Sequence, residues 1–340
     1  MSMSARTKVT VIIPTYKRPK ECLRAVKSVL LQTFKDFEII VGDDYGKDET
    51  GKLLAELDDS RIHYFDNQGK GGSASKNRNL CVGRSAGLYV TFLDSDDFIL
   101  PDKLQLQYDA LCDVNDEVGF VISGTRVVKV HDGKYYRYKD LIPTAEGDIR
   151  EAYFGRRLSC YNTSLMVRSD ALDAVGLWDP AVGPYDDSEL IMRLLLRYQA
   201  VRVNDISTLW FDHDGDDSFS NDQVARRHGL EVFISKHTDL VSNYPVWATY
   251  RIKELAKALF IAGKAEDCRR WLRRLPSRPS VSLQLMMWGS YVPGCARSLK
   301  VLYPIFFKYN KPSWLEVESV PLESLIPGKY LDAMRPILSH

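Results

Sequence analysis

Residues 89–100 read YVTFLDSDDFIL, a run that places three carboxylates at the end of an apolar, strand-like segment. Burying one unpaired carboxylate costs free energy, and clustered carboxylates repel one another. A hard cation between Asp94 and Asp96 would offset that repulsion, and oxygen ligands suit Mg²⁺ or Mn²⁺. Both ions commonly keep coordination positions for phosphate oxygens. The stretch therefore predicts a buried strand that ends at a metal and phosphate site.

The first hundred residues alternate strand-like runs with helical patterns. Short apolar runs predict strands at residues 8–14, 37–42, 61–65 and 88–93, and helical periodicity predicts helices at 19–32, 50–57 and 73–85. This alternation is typical of βαβ units and of a mostly parallel sheet, which binds ligands beyond the carboxyl ends of its strands. Polar clusters fall at those ends, in residues 15–18, 43–44 and 94–97. We therefore expect an α/β protein with its site at this edge.

Beyond residue 120 the pattern loosens and then becomes helical. Strands are predicted at 120–123, 125–130 and 134–139, and helices at 188–198, 247–263 and 265–275. We place a boundary near residue 220. It separates an α/β region, residues 1–220, from a basic and mainly helical C-terminal region, residues 221–340.

The charges are divided unequally between these regions. Residues 1–220 hold 28 Lys/Arg against 35 Asp/Glu, whereas residues 221–340 hold 18 against 10. The net charge of +1 gives no overall field for nucleic acid, but the basic region suits a phosphate-rich surface.

The six scattered cysteines form no CxxC pair, and the first residues lack an apolar signal-peptide core. We expect reduced thiols and a cytoplasmic protein.

Two glycine-rich motifs offer competing nucleotide sites. GKDETGK at residues 46–52 has the spacing of a P-loop, but Leu53 stands where a magnesium-binding hydroxyl is needed. GKGGSA at residues 69–74 matches a dinucleotide fingerprint, with Asp94 about twenty residues further on. That motif follows the third strand rather than the first, so we favour a turn that opens a helix.

The remaining acidic clusters also have structural explanations. A calcium loop from Asp94 is disfavoured, since Ile99 replaces the required Gly and Gln105 the final Glu. Asp97 or Asp102 could cap a helix near residue 101. Residues 184–193, PYDDSELIMR, fit either a capped helix start or a general base at a helix N-terminus. His213, among four acids, is structural in one interpretation and a metal or phosphate contact in the other.

Taken in order, these segments resemble the motifs of the family 2 glycosyltransferases from about residue 8 to about residue 220. VIIPTYKR at 11–18 and IIVGDDYGKDET at 39–50 are similar to the family's first two strands and their nucleotide-binding turns. NRN at 77–79, followed by Gly87 and Tyr89, resembles its ARN…G.Y pattern, and FLDSDD at 92–97 its DxD metal motif. VGLWD at 175–179 resembles its GGFD acceptor loop. DDSELIMR at 186–193 resembles its ED..L..R catalytic motif, with Asp186 in place of Glu.

The resemblance implies a GT-A fold, which is a Rossmann-like α/β architecture with a mostly parallel central sheet flanked by helices. It implies that Asp187 is the catalytic base, that Asp94, Asp96 and His213 hold Mn²⁺ or Mg²⁺, and that three further residues shape the acceptor site, namely Trp178, Asp179 and Asp186. The implied nucleotide-sugar contacts are Pro14, Thr15, Tyr16, Arg18, Asp43, Asp44, Arg78, Asp94, Ser95 and Asp96. Asp97 is expected in a supporting position or as a link to the next helix.

The function that these roles imply is metal-dependent, inverting transfer of a sugar from a nucleoside-diphosphate sugar, with UDP favoured, to a glycan, lipid-linked or polysaccharide hydroxyl. The alternatives are a nucleotidyltransferase and a non-catalytic nucleotide-sugar-binding protein. RRWLRRL at 269–275 and YPIFFKYNK at 303–311 mix basic and aromatic residues. They fit either a solvated helical face or a peripheral contact with the inner face of a membrane.

Overall fold

The first strand, β1 (Val9–Thr15), is buried at all seven positions. Its sequence, VTVIIPT, is β-branched at every position except Pro14. A continuous β-branched run of this kind fits a strand that is covered on both faces. Its neighbours, β2 (Phe37–Asp43) and β4 (Tyr89–Phe92), run parallel to it on either side.

The computed structural model describes residues 7–213, 222–276 and 319–338. The other strands within these ranges are β3 (Ile62–Asp66), β5 (Phe98–Ile99), β6 (Val118–His131), β7 (Lys134–Leu141), β8 (Leu165–Arg168) and β9 (Gln199–His213). The helices are α1 (Pro19–Leu30), α2 (Thr50–Ala55), α3 (Ala74–Val82), α4 (Lys103–Leu111), α5 (Arg150–Phe154), α6 (Ser169–Val175), α7 (Asp186–Arg197), α8 (Gln223–Lys236), α9 (Asp239–Asn243), α10 (Pro245–Ile261), α11 (Ala265–Leu272) and α12 (Leu331–Leu338).

The strands form one sheet in the order β3-β2-β1-β4-β8-β6-β9-β5, and β7 pairs with β6. The half from β3 to β4 is parallel, as the sequence predicts. The other half is mixed, because β8 runs antiparallel to both β4 and β6 while β6 and β9 are parallel. The α/β class is therefore confirmed, whereas parallel pairing dominates only the N-terminal half.

The parallel register brings polar residues to one edge of the sheet. Thr15 at the end of β1 lies opposite Asp43 at the end of β2, and Asp43 lies opposite Asp66. On the other side of β1, strand β4 stops at Phe92, two residues before Asp94. The segments predicted to bind nucleotide and metal consequently leave the sheet side by side.

Several predicted boundaries are displaced by a few residues, and two of the differences change an interpretation. Residues 120–123 and 125–130 belong to one strand, β6, in which the register with β9 shifts around Gly124. A bulge of this kind lets one strand continue through a local break in its pattern. The predicted helix at 188–198 begins two residues earlier, at Asp186, so Ser188 lies inside α7 and does not cap it.

The helices after residue 222 pack in a core that they share with Phe154, Val182 and Met192 of the first region. Phe233 of α8, Trp247 and Leu255 of α10 and Trp271 of α11 are buried together there. Trp271 is therefore not available to enter a membrane, contrary to the interfacial interpretation of RRWLRRL. The aromatic segment 303–311 lies outside the described residues.

The last described segment returns to the sheet. Met334 and Ile337 of α12 pack with Phe98, Leu209 and Phe211. Residues 319–338 therefore join the core of the first region, while the division at residue 220 stays a prediction. None of the helices in the described ranges is long and apolar enough to cross a membrane.

Candidate active site

The centre of the site is Arg78 on α3, which is only 5% exposed. Its Nη2 lies 2.6 Å from Asp94, and its Nη1 lies 3.4 Å from Asp186 and 3.5 Å from Asp187. Burial alone would lower the pKa of the guanidinium, but the three carboxylates reverse this effect and raise it. Arg78 thus joins the DSDD turn after β4 to the first turn of α7.

Asp186 is held inside the protein by α3. Its Oδ2 accepts a hydrogen bond of 2.5 Å from the Ser75 hydroxyl, and its Oδ1 accepts one of 2.9 Å from the backbone N–H of Asp187. Only 8% of Asp186 is exposed. Its carboxylate therefore fixes the start of α7 rather than forming an open acceptor surface.

Asp187, the predicted base, is oriented by a neighbouring tryptophan. The indole Nε1 of Trp178 donates a hydrogen bond of 3.0 Å to Asp187 Oδ1. Desolvation raises the pKa of the Asp187 carboxyl to about 7, against the opposing effects of Arg78 and the Trp178 hydrogen bond. The side chain nevertheless keeps 34% exposure, so a substrate can reach it. A reachable carboxyl with a pKa near neutrality is suited to proton transfer.

Trp178 itself lies in the core, with 2% exposure. Its ring meets Phe92 of β4 edge to face, with centroids 4.7 Å apart. Asn79 of α3 holds its backbone twice, donating to the carbonyl at 2.8 Å and accepting from the N–H at 3.0 Å. The indole of Trp178 is thus directed at Asp187, and the predicted place of Trp178 in the acceptor site stays a prediction.

The DSDD turn is held from several sides. Arg18 pairs with the Asp96 carboxylate, and Arg24 donates to the Asp96 carbonyl at 3.0 Å. Burial raises the pKa of Asp96, and Arg18 opposes that rise. Asp97 is fully buried and accepts a hydrogen bond of 2.8 Å from the backbone N–H of Phe211 on β9. Asp97 therefore links the turn to the strand that carries His213, not to the next helix.

The predicted metal ligands lie in two places around this turn. His213 Nε2 is 3.9 Å from Asp96 Oδ2, whereas Asp94 points to Arg78. Across the described ranges, no three His, Cys, Asp or Glu side chains are grouped to hold a metal on their own. A carboxylate and an imidazole nevertheless suit Mn²⁺ or Mg²⁺ if diphosphate and water oxygens complete the coordination. The buried Asp97 Oδ2, which has no hydrogen-bond partner among the described residues, adds unbalanced acceptor capacity beside them.

The predicted nucleoside contacts line the adjacent strand ends. Asp43 is 3% exposed and accepts hydrogen bonds from the Gly46 N–H at 2.9 Å and the Tyr64 hydroxyl at 2.8 Å. Burial raises the pKa of Asp43, while these two donors oppose the rise. Tyr16 is 52% exposed, which leaves its ring open to a base. Pro14 and Thr15 are buried in β1.

The glycine-rich loop before α3 closes against this region. A Cβ on Gly71 would lie 2.5 Å from Asp44 Oδ1, so a larger residue here would force the Asp44 side chain to move. Ser73 then caps α3 by accepting a hydrogen bond of 3.3 Å from the Lys76 N–H. The preferred interpretation of GKGGSA as a turn and helix start is confirmed.

The helical region contacts the segments around Asp179 and Asp186 through two partners that the sequence did not single out, Lys236 and Glu254. The Tyr185 hydroxyl, next to Asp186, donates to Glu254 of α10 at 2.7 Å. Lys236 of α8 pairs with Asp179, whose carboxylate also accepts from the Ala181 N–H at 3.0 Å. The partners in these two contacts are 69 and 57 positions apart, so no local pattern could have revealed them.

Comparison with known proteins places this geometry in a family. Residues 10–176 match the model of glycosyl transferase family 2. An uncharacterized glycosyltransferase of Rickettsia conorii is 40% identical over 131 residues, which are 38% of this chain and 21% of the relative. The GalNAc(5)-diNAcBac-PP-undecaprenol beta-1,3-glucosyltransferase of Campylobacter jejuni is 32% identical over 153 residues, or 44% of this chain and 43% of that protein. The matches thus span less than half the length of these relatives.

Solved structures show the same fold. S. aureus TarS 1–349 with UDP-GlcNAc superposes with a TM-score of 0.56 at 16% identity, over 98% of this chain and 90% of that one. The mannosyltransferase PcManGT from Pyrobaculum calidifontis, with GDP-Man and Mn²⁺, gives 0.52 at 15% identity, over 97% and 86%. Residues 10–176 therefore carry a family 2 glycosyltransferase domain, and the GT-A fold is confirmed.

Proposed function

We propose that this protein transfers a sugar, with inversion, from a nucleoside-diphosphate sugar to a hydroxyl of a glycan or lipid-linked acceptor. The observation that carries the proposal is the pair of carboxylates on opposite sides of Arg78. Asp94 lies on the side of the nucleotide-binding strand ends, and Asp187 lies at the start of α7. One guanidinium thus connects a donor-side acid to an acceptor-side acid.

The donor would lie across the ends of β1, β2 and β4. Tyr16 would pack against the base, and Thr15, Asp43 and Asp44 would contact the nucleoside. Pro14 and Ser95 would shape the pocket around them. Arg18, 39% exposed in its side chain, is placed to exchange its contact with Asp96 for a phosphate. UDP is the favoured nucleotide, with GDP as the alternative to be tested.

Asp96 and His213 would hold Mn²⁺ or Mg²⁺, with Asp94 beside them. When bound, such a cation neutralises the negative charge that develops on the departing diphosphate. Arg78 would hold Asp94 in place, and Arg18 would turn from Asp96 to the diphosphate. The chain's own residues therefore supply orientation and a balanced charge around the leaving group.

Asp187 would act as general base in a single displacement. The acceptor hydroxyl gives its proton to the Asp187 carboxylate while its oxygen bonds to the anomeric carbon. The bond from that carbon to the diphosphate oxygen breaks, and its electron pair leaves with the diphosphate. Attack from the face opposite the leaving group inverts the anomeric centre. A separate base at this position has no role in nucleotidyl transfer, which disfavours that alternative.

The class of acceptor is proposed from similarity and charge. The Campylobacter jejuni relative is named for an undecaprenol-linked diphosphate acceptor. A lipid-linked acceptor here would bring the protein to the inner face of a membrane. Because Trp271 is buried, contact through RRWLRRL would depend on its basic side chains, which anionic lipid headgroups attract. Vesicle flotation with anionic lipid tests this, and no association would exclude it.

The activity is tested by release of nucleoside diphosphate from a panel of UDP-, GDP- and dTDP-sugars with Mn²⁺ or Mg²⁺. Asp187→Asn should lower kcat by about 10²- to 10⁴-fold, the range of general base catalysis, and leave donor binding intact. The matched control is Asp132→Asn, whose side chain is 86% exposed in the turn after β6. Full activity in Asp187→Asn would remove the base assignment. A wild-type protein inactive with every donor would refute the proposed function.

A further inference from the structure

We propose that Trp178 is a positioning residue for the base. Its indole N–H holds Asp187 by Oδ1, so that Oδ2 is oriented to accept the proton of the acceptor hydroxyl. This inference rests on the proposed function. In the family pattern that this segment resembles, the position of Trp178 carries phenylalanine, which has no hydrogen-bond donor. The indole N–H is therefore a feature of this chain that the family motif does not explain.

The direction of the contacts carries the argument. Within the described ranges, the hydrogen bond from Trp178 and the ion pair with Arg78 both reach Oδ1 of Asp187, at 3.0 and 3.5 Å. Oδ2 is left for the acceptor in a side chain that is still 34% exposed. When one oxygen of a carboxylate is anchored, the other oxygen keeps a defined orientation. This matters because a small displacement of a catalytic base lowers the reaction rate strongly.

Trp178 is itself held through both its ring and its backbone. Phe92 packs against its ring, and Asn79 hydrogen-bonds its backbone on both sides. Asn79 directly follows Arg78, so α3 positions both groups that hold Asp187. Such support is what a residue needs if it is to hold a catalytic group in one orientation.

Trp178→Phe removes the N–H and keeps an aromatic ring in the core. We expect kcat to fall about 10- to 100-fold, the scale of one hydrogen bond to a charged group, with the donor KM little changed. The acid limb of the pH–rate profile should move up by about one pH unit, since the lost bond stabilises the ionised carboxylate. Arg78, Asp94, Asp186 and the Tyr153 hydroxyl of α5, the other groups near Asp187, remain in the variant.

Two comparisons separate positioning from a merely structural role. Trp271→Phe is the matched control, because Trp271 is also 2% exposed and donates its indole N–H to a carboxylate, Glu231, at 3.2 Å. It should leave kcat and the pH profile unchanged. In the double variant, Trp178→Phe should lower kcat little further than Asp187→Asn does alone. The effects of two residues that act through one group are not additive.

A measurement on the wild-type protein keeps the test valid if Trp178→Phe fails to fold. The indole N–H signal of Trp178, in ¹⁵N-tryptophan-labelled protein, should shift with pH near the pKa of Asp187 and lose that shift in Asp187→Asn. A signal indifferent to Asp187→Asn, or an unchanged kcat and pH profile in Trp178→Phe, overturns the role of Trp178 alone. A wild-type protein inactive with every donor overturns the proposed function and this role with it.

Discussion

Lys103, the first residue of α4, provides a test of the electrostatic reasoning that does not depend on activity. It is 1% exposed, and its ammonium donates to Gln107 Oε1 at 2.9 Å and to Ser123 Oγ at 3.5 Å. In the part of the chain that the structure describes, no carboxylate forms a salt bridge with it. Desolvation therefore lowers its pKa from 10.5 to about 7.

The consequence for stability follows from proton linkage. Between pH 7 and pH 10.5 the unfolded chain binds a proton at Lys103 that the folded chain does not, so stability rises with pH across this window. The pKa difference corresponds to roughly 5 kcal/mol of folding free energy, which is unavailable below pH 7. Lys103→Met removes this penalty but leaves Gln107 with one hydrogen bond fewer, at a cost of about 1–3 kcal/mol.

We therefore expect Lys103→Met to stabilise the protein by roughly 2–4 kcal/mol at pH 6, with the advantage falling by about 1.4 kcal/mol per pH unit above pH 7. Near pH 10 the variant should be the less stable protein. The assay is urea unfolding of both proteins from pH 6 to pH 10. Taking the difference removes the contributions of buried thiols such as Cys22 and Cys160, whose pKa values burial also raises.

The control is Lys52→Met on α2, which makes the same substitution at an exposed lysine. A Lys103→Met difference that does not change from pH 6 to pH 10 would show that the ammonium is not desolvated as the structure implies. The reasoning about buried charge in this protein would then be wrong.

Three further predictions concern the site. The kcat of the proposed transfer should decrease as pH falls below about 7, because protonation removes the Asp187 base, and pH–rate profiles with saturating donor measure this. Gly229→Ala should destabilise the protein, since the new Cβ would collide with the Val182 carbonyl just before α7. Thermal melting followed by circular dichroism should show a clearly lowered Tm. An unchanged Tm would contradict the tight packing of α8. Arg78→Lys should lower the free energy of unfolding by about 3–5 kcal/mol, because a lysine cannot face Asp94 and the α7 acids together. Urea titration measures this loss, and a smaller loss would mean that those acids are solvated.

Much of the fold was predictable because its signals are local. The β-branched runs of β1 and β2 and the apolar periodicity of α1 are short-range features, and the alternation of strands and helices implies parallel pairing. The mixed half of the sheet was harder to predict from the sequence. β8 is only four residues long, and β9 alternates irregularly between buried and exposed positions, so neither has a strong pattern.

The amino-acid sequence by itself determined which carboxylates sit at strand ends and at the start of α7, because those positions follow from chain order and residue type. Only the tertiary structure decided what each carboxylate contacts. The Arg78 guanidinium reaches acids 16, 108 and 109 positions away, and Trp178 meets Asp187 through a ring buried against β4. The physical reason is that the pKa, the orientation and the charge balance of a side chain depend on groups that packing brings close to it. The separation of these groups along the chain does not reveal that they are close in space.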